Sequence, residues 1–443
     1  MRADLVAELS VGCWMIGDQI RGAHRVEVEM QLKVDIDRER IADWFGPDGT
    51  HRLPEQALPA VLAHEPTRRL LTVIGLPSAG GALLRFDSDP DTLLSPLATR
   101  LAGPSIGADH LLVLGEAGYR DWLVLDGVTG QVALATATAT AAATEPAEPA
   151  RVLLDVIASD LSVVLLFLHE LEALRTGAAD PTAHDGRRGP AVVAEVTAAL
   201  AQRMRAVDPA VFEPSGLAPH WSTALLVYGL RWVAHPGAGA AGQDERPLAY
   251  EITPELVADL GEVVPLHPDD LPECLRHEPT RRLLTTVGLP ASDYLRDDEE
   301  RPFTTLRECC PWYAEDEENT RAHQLDYVCL GDTVYDCQVV VDGTTGRVEI
   351  TEGDGEEGWP AAHLHSDLSA FYVTIWVVTR LSDEAARWTR GREPADWKVF
   401  TPDRLLAEAG LNLLIELDPS AFEHKASFWN ARADDGHMGG LLG

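Results

Sequence analysis

His64 and Glu65 are neighbours, as are His277 and Glu278, and an imidazole beside a carboxylate is a usable acid/base unit. The same pair would open a zinc-protease helix if a second histidine stood three residues after the glutamate. Arg68 and Arg281 occupy those positions, so that metal site is one residue short. Placed just ahead of a helix, the histidine and glutamate suit the capping of orphan N–H groups and pairing with the arginines, and this structural role is the expectation. Arg68-Arg69 and Arg281-Arg282 are expected to tie the helix to acidic neighbours rather than to bind an anion. Gly237, Gly239 and Gly242 have the spacing of a dinucleotide loop, but Gln243-Asp244-Glu245-Arg246-Pro247 follows them and no helix can start there to present N–H groups to a pyrophosphate. The chain has no Gly-x-Ser-x-Gly elbow, no phosphate-binding P-loop and no kinase signature, and the other histidines show no ligand spacing with cysteine or aspartate. No catalytic residue, no metal ligand and no cofactor site is therefore expected.

The elements around these residues occur twice. The fourteen residues His64 to Pro77 return as His277 to Pro290 with two changes, which is too distant a repeat for a solenoid and implies two whole domains. Three later blocks keep the order: Leu114-Gly115 with Asp126 to Val132 against Leu330-Gly331 with Asp342 to Val348, Ser159 to Ser162 against Ser366 to Ser369, and Asp208 to Glu213 against Asp418 to Glu423. In each copy Pro66 or Pro279 can open a short helix, Gly75 or Gly288 can close it in the left-handed conformation, and Pro77 or Pro290 stops it. Apolar stretches at 110–114, 122–125 and 131–134, with turn residues between them, predict an antiparallel meander. The second copy predicts the same at 326–330, 338–341 and 347–350. The Ser-Asp-Leu-Ser blocks predict capped helices after each meander, which makes the fold class α+β. Trp221 and Trp429 are expected as core anchors. The low-complexity run Ala135 to Ala150 and the acidic Glu352 to Gly358 segment read as surface excursions from one equivalent position, neither needing regular structure. The predicted layout is an N-terminal segment at 1–22, a first domain at 23–233, a Gly/Pro/Ala-rich linker at 234–249 and a second domain at 250–443.

Formal net charge is −35, and the half from Arg246 onward is the more acidic, with 39 acids against 17 bases. Such a surface repels phosphate backbones and anionic lipid and attracts cationic partners, so neither nucleic acid nor membrane is an expected ligand. Three dense runs, Asp297-Asp298-Glu299-Glu300, Glu315-Asp316-Glu317-Glu318 and Glu352 to Glu357, all fall in the second copy. The first two are the candidate partner-binding residues, since loops on a rigid scaffold carry contacts. The first twenty residues carry Asp4 and Glu8 and do not read as a secretion signal, and no apolar run approaches the length of a membrane span. A cytoplasmic protein is expected. The six cysteines show no Cys-x-x-Cys pair, and Cys329 and Cys337, which flank a hairpin, are expected as thiols.

The Phe45-Gly46 and Leu58-Pro59 lead-in, the His-x-Pro-Thr-Arg-x-Leu-Leu-Thr-x-x-Gly-Leu-Pro segment, the strand ending in Leu-Gly, the Asp-Gly-x-Thr-Gly-x-Val turn, the Ser-Asp-Leu-Ser helix and the terminal Asp-Pro-x-x-Phe block with its tryptophan together resemble the SUKH superfamily. More narrowly they resemble its fourth group of immunity proteins, often encoded in actinobacteria, in two tandem copies. The second copy has Leu260-Gly261 in place of the Phe-Gly pair, and residues 1–22 have no counterpart. The resemblance implies a twisted, mainly antiparallel sheet with helices packed against it in each copy. It also implies motif residues that serve the fold: His64, Thr67, Arg68, Gly75, Pro77, Asp126 and Gly127, then His277, Thr280, Arg281, Gly288, Pro290, Asp342 and Gly343. Finally it implies a non-enzymatic protein that binds and occludes a polymorphic toxin of nuclease or deaminase type, which an acidic surface suits if the toxin is basic. A cytosolic bivalent scaffold or regulatory adaptor, one partner to each copy, is the competing expectation.

Overall fold

In the computed structural model, residues 32–430 are described apart from 47–48, 78–82, 90–91, 102–104, 118–120, 139–149, 213–218, 237–246, 291–294, 296–302, 316–320, 334–336, 352–361, 390–404 and 425–426. From Leu32 onward the chain forms one compact unit. The first copy begins with α1 (Arg38–Phe45), capped by the Asp37 side chain. Next come β1 (Thr50–His51), α2 (Glu65–Arg69) with Pro66 in its first turn, and a wider i→i+5 turn over Leu70–Ile74. The chain then returns as β2 (Leu76–Pro77), antiparallel to β1.

Gly75 ends the helix with φ 104° and ψ 177°, an extended backbone reserved for glycine and not the left-handed helical conformation expected from the sequence. The reason is a close approach: a Cβ on Gly75 would lie 2.5 Å from the His51 carbonyl oxygen of β1.

The main sheet of this copy contains β3 (Arg85–Phe86), β4 (Ser105–Ile106), β5 (Leu111–Ala117), β6 (Asp121–Asp126), β7 (Val132–Thr138) and β8 (Ala150–Ala158), in the order β3-β5-β6-β7-β8-β4. All its pairings are antiparallel except β4 with β8. The meander is as predicted, but β7 and β8 extend into both ends of the low-complexity run. Alternating small apolar residues satisfy a sheet there, although they carry little sequence signal. A bulge at Val113/Gly115 explains the Leu-Gly pair, because a Cβ on Gly115 would sit 1.9 Å from the Arg85 carbonyl of β3.

Helices α3 (Leu161–Ala179), α4 (Pro190–Val207) and α5 (Pro219–Gly229) follow. Leu112, Leu114, Leu123, Leu125 and Leu134 on the inner sheet face pack with α3 in one core. Strand β9 (His235–Pro236) then pairs antiparallel with β10 (Tyr250–Glu251), so ordered pairing reaches into one end of the predicted linker.

The second copy repeats this plan. After α6 (Pro254–Ala258) come β11 (Val263–Val264), α7 (Glu278–Thr286) and β12 (Leu289–Pro290), and β11 and β12 pair as β1 and β2 do. Helices α8 (Leu306–Cys309) and α9 (Pro311–Glu315) lead to a four-stranded antiparallel sheet of β13 (Val328–Asp332), β14 (Gln338–Val341), β15 (Val348–Ile350) and β16 (His363–His365). Its first bulge, at Cys329/Gly331, repeats the one at Gly115. The long helix α10 (Leu368–Thr389) covers its inner face, and Tyr372 on that helix donates its hydroxyl to the Gly288 carbonyl at 2.8 Å.

The two copies share one continuous hydrophobic core. They are also joined by Arg231 Nε donating to Glu416 Oε2 at 2.8 Å and the Thr223 hydroxyl donating to Glu384 at 3.4 Å. None of the described cysteines forms a disulfide.

Candidate functional site

The most repeated residues converge on one junction in each copy. The Asp126 carboxylate accepts the N–H groups of Val128 and Thr129, at 2.8 and 3.1 Å, which shapes the turn between β6 and β7. This turn pushes the Gly127 carbonyl outward, where it accepts the N–H groups of Ala63 and His64 just ahead of α2, at 2.8 and 3.0 Å. His64, 5 % exposed, bonds through Nδ1 to the Thr67 hydroxyl at 2.8 Å, and its ring abuts Gly130. Burial pushes its pKa below the ordinary histidine value, against weaker attraction from Asp160 and Asp126. Arg68 turns back to donate to the Leu62 carbonyl at 2.9 Å and pairs with Glu55.

In the second copy Gly343 O accepts from Arg276 and His277, His277 bonds Thr280 at 2.8 Å, Gly346 abuts the His277 ring, and Arg281 donates to the Leu275 carbonyl at 2.9 Å. Pro77 and Pro290 end the short strands against β1 and β11. The histidines, threonines and arginines therefore fasten a helix start to a hairpin turn.

A second junction lies beneath, and spacing alone did not disclose it. The Asp160 carboxylate caps α3 and also accepts the Lys33 N–H at 2.7 Å, while Ser162 Oγ takes the Val34 N–H at 3.1 Å. Asp367 and Ser369 do the same to Ala249 and Tyr250, at 2.7 and 3.0 Å. Next to each cap sits the aspartate of the Asp-Pro block. Asp208, wholly buried, accepts the Ser159 N–H and pairs with Lys33 Nζ at 2.6 Å. Asp418 accepts the Ser366 N–H and pairs with His365 Nδ1 at 3.0 Å. The buried aspartate's side-chain donor thus comes from the segment ahead of α1 in one copy and from the sheet in the other. The two tryptophans are core anchors: Trp221 Nε1 donates to the Ile157 carbonyl at 2.7 Å and Trp429 Nε1 to His365 Nε2 at 2.8 Å.

In the second copy the fold brings together a serine, an aspartate and two histidines. Ser420 Oγ donates to Asp418 Oδ1 at 2.6 Å and lies 2.9 Å from His363 Nε2. Arg347 Nε donates to His363 Nδ1 at 2.7 Å, so the His363 proton resides on Nε2 and points at Ser420. His363 therefore has no lone pair with which to activate that serine. Trp429 fixes His365 likewise, occupying Nε2 and leaving the Nδ1 proton for Asp418. Burial, and then Arg347, pushes the His363 pKa down to about 4. Burial opposes ionisation of Asp418, but donation from His365, Ser366 and Ser420 outweighs it and holds the carboxyl below its ordinary value.

Buried His220 is pushed down to about 3 by desolvation. Its folded pKa lies below its unfolded one, so its contribution to stability is complete above about pH 6.5 and is lost as pH falls toward 3. We expect the denaturation midpoint to drop between pH 6.5 and 4, with a slope of up to roughly 1.4 kcal/mol per pH unit from His220. His220→Phe should flatten that slope; an unchanged profile in urea titrations of the variant would contradict the assignment. The Asp418 contribution belongs to a separate window, disappearing only as pH falls below the ordinary carboxylate range.

Of the candidate partner-binding residues, Glu315 is exposed at the end of α9. Asp297, Asp298, Glu299, Glu300, Asp316, Glu317 and Glu318 lie outside the described residues, as does the glycine pattern at 237–242. Among the described residues no group of three or more His, Cys, Asp or Glu can hold a metal ion, and no helix is long and apolar enough to cross a membrane.

These features define a duplicated α+β protein whose repeated signature residues fasten its own backbone. The chain belongs to the SUKH-4 immunity protein family, whose model matches residues 36–226 and again residues 243–435. The family supports an immunity role, which implies a protein toxin as partner and suggests a non-catalytic mode of action. No curated protein and no solved structure matches the chain.

Proposed function

We propose that the chain, acting in the cytoplasm, neutralises a cationic toxin of nuclease or deaminase type by binding it and covering its working surface, without chemistry of its own. The observation that carries this reading is membership of the immunity family over both copies, and the net charge of −35 supports it. A toxin that acts on nucleic acid must itself attract phosphate, so a strongly acidic protein is its electrostatic complement and is steered toward it. The acidic runs at 297–300 and 315–318 of the second copy add to that negative charge. We take 23–233 and 250–443, joined through 234–249, as the two copies acting together, since their shared core favours one rigid inhibitor over two independent modules.

Capture from the source cell's lysate at low and moderate salt, with the intact chain as bait, tests the reading. One basic nuclease-like or deaminase-like protein, held less well as salt rises, is expected. Several housekeeping partners and no toxin would favour the bivalent adaptor instead.

A further inference from the structure

The two sheets differ in the chemistry of their outer faces, those turned away from α3 and α10. Register makes the comparison residue by residue. Val124, Ala133 and Val156 lie side by side across β6, β7 and β8, and Val340, Glu349 and His363 are their counterparts across β14, β15 and β16. One row over, Trp122, Ala135 and Leu154 align in the first copy, where the second has Gln338 and Thr351.

In the second copy the chain covers this face itself. Leu306, Cys310 and Tyr313 pack on Val340. Gln324 Nε2 donates to Glu349 at 3.0 Å, and Arg321 donates to the Ile350 carbonyl at 2.8 Å. In the first copy Leu97 matches Leu306 and packs on the same face, but the covering segment is shorter: thirteen residues separate Leu97 from Leu111, against twenty between Leu306 and Tyr327. Leu154 and Val156 are left 43 % and 42 % exposed on one side of β8, with Trp122 half-buried in the same row as Leu154. Among the described residues Val73 and Val264 are also exposed, on other elements of the fold.

We propose that this outer face of the first sheet, centred on Trp122, Leu154 and Val156, is where the toxin docks, seating an aliphatic or aromatic ridge there. The inference rests on the proposed function and adds the location and chemistry of the contact. Two observations specify the occupant. Its apolar ridge matches what the second copy places on its own equivalent face, namely leucine, cysteine and tyrosine side chains. Its cationic surroundings match a chain of net charge −35. Acidic loops then set the association rate, and this face sets the residence time, because a desolvated aromatic and aliphatic centre dominates binding energy while peripheral charge governs encounter.

The test uses the full chain and the toxin domain identified by lysate capture, with rates read by surface plasmon resonance. Leu154→Glu combined with Val156→Glu should speed dissociation by at least about 30-fold. Both positions are already solvent-exposed, so the fold should persist, and Leu154→Ala provides a milder variant with a smaller acceleration. Each new carboxylate attracts a cationic partner, so a loss of binding cannot come from charge repulsion. Val73→Glu and Val264→Glu, equally exposed but elsewhere, should change dissociation by no more than about twofold. Wild-type neutralisation together with unchanged dissociation of the Leu154/Val156 variant would overturn this docking face and leave the proposed function standing. Equal losses from the Val73 and Val264 variants would also overturn it. A wild-type chain that captures no toxin overturns both.

Discussion

Asp418→Ala should cost about 3–5 kcal/mol of folding stability, because it leaves several hydrogen-bond donors without their acceptor at roughly 1–3 kcal/mol for each buried one. The carboxylate accepts from Ser366 N–H, His365 Nδ1 and Ser420 Oγ, and Asp418 and His365 are both almost wholly excluded from water. Its removal strands two buried donors, Ser366 N–H and His365 Nδ1–H, at the junction of β16 and α10, and a half-buried one, the Ser420 hydroxyl. Asp208→Ala should cost less, although Asp208 is equally buried. Its partner Lys33 has a side chain 36 % exposed, and the freed ammonium can turn into solvent, leaving the Ser159 N–H as the main unsatisfied group. Urea denaturation of the two variants gives the comparison directly. Equal losses, or a loss below about 1 kcal/mol for Asp418→Ala, would contradict the roles assigned to His365 and Lys33.

Gly346→Ala should be strongly damaging for a change of one methyl group. The residue has φ +75°, and an added Cβ would lie 2.2 Å from His277 Nδ1. That ring cannot withdraw freely, because it is buried and bonded to Thr280. Backbone strain contributes about 1 kcal/mol, and displacing the ring from its packed site should bring the total to about 3 kcal/mol. Gly130→Ala faces the His64 ring at 2.3 Å and should behave alike. Gly107→Ala separates the two causes, having φ +80° with no atom within 4 Å of the added Cβ, and should show the strain alone. If all three variants lose the same stability, the histidine does not clamp the turn.

The duplication exposes the parts of the fold that were legible in the sequence. His64 to Pro77 returns almost unchanged because several of its residues meet local constraints: Gly75 by the His51 carbonyl, Pro66 by the first helical turn, Thr67 by the His64 ring. Such constraints tolerate few alternatives, so they survive as a pattern. The Asp-Pro blocks survived too, but their partners did not. Lys33 and His365 come from different elements, and only three-dimensional register shows that they answer the same buried charge. The ends of β7 and β8 were hidden because the alternation of alanine with threonine gives little hydrophobic contrast and runs on into a low-complexity stretch. The Ser420, His363 and Asp418 group was invisible for a similar reason, since β16 and the Asp-Pro turn approach one another only in the folded chain. The contrast between outer faces required the pairing of Ala133 with Val156 and of Glu349 with His363, which no spacing supplies.

The central claim is neutralisation by stoichiometric binding, and an inhibition titration of the captured toxin tests it most directly. Toxin activity, measured at concentrations well above the dissociation constant, should fall linearly with added chain and vanish at an integral ratio of chain to toxin. Washing the complex apart should restore activity, since nothing covalent has happened. Silencing by a small fraction of an equivalent, or lasting loss of activity after separation, would show that the chain acts by turnover and would contradict the account.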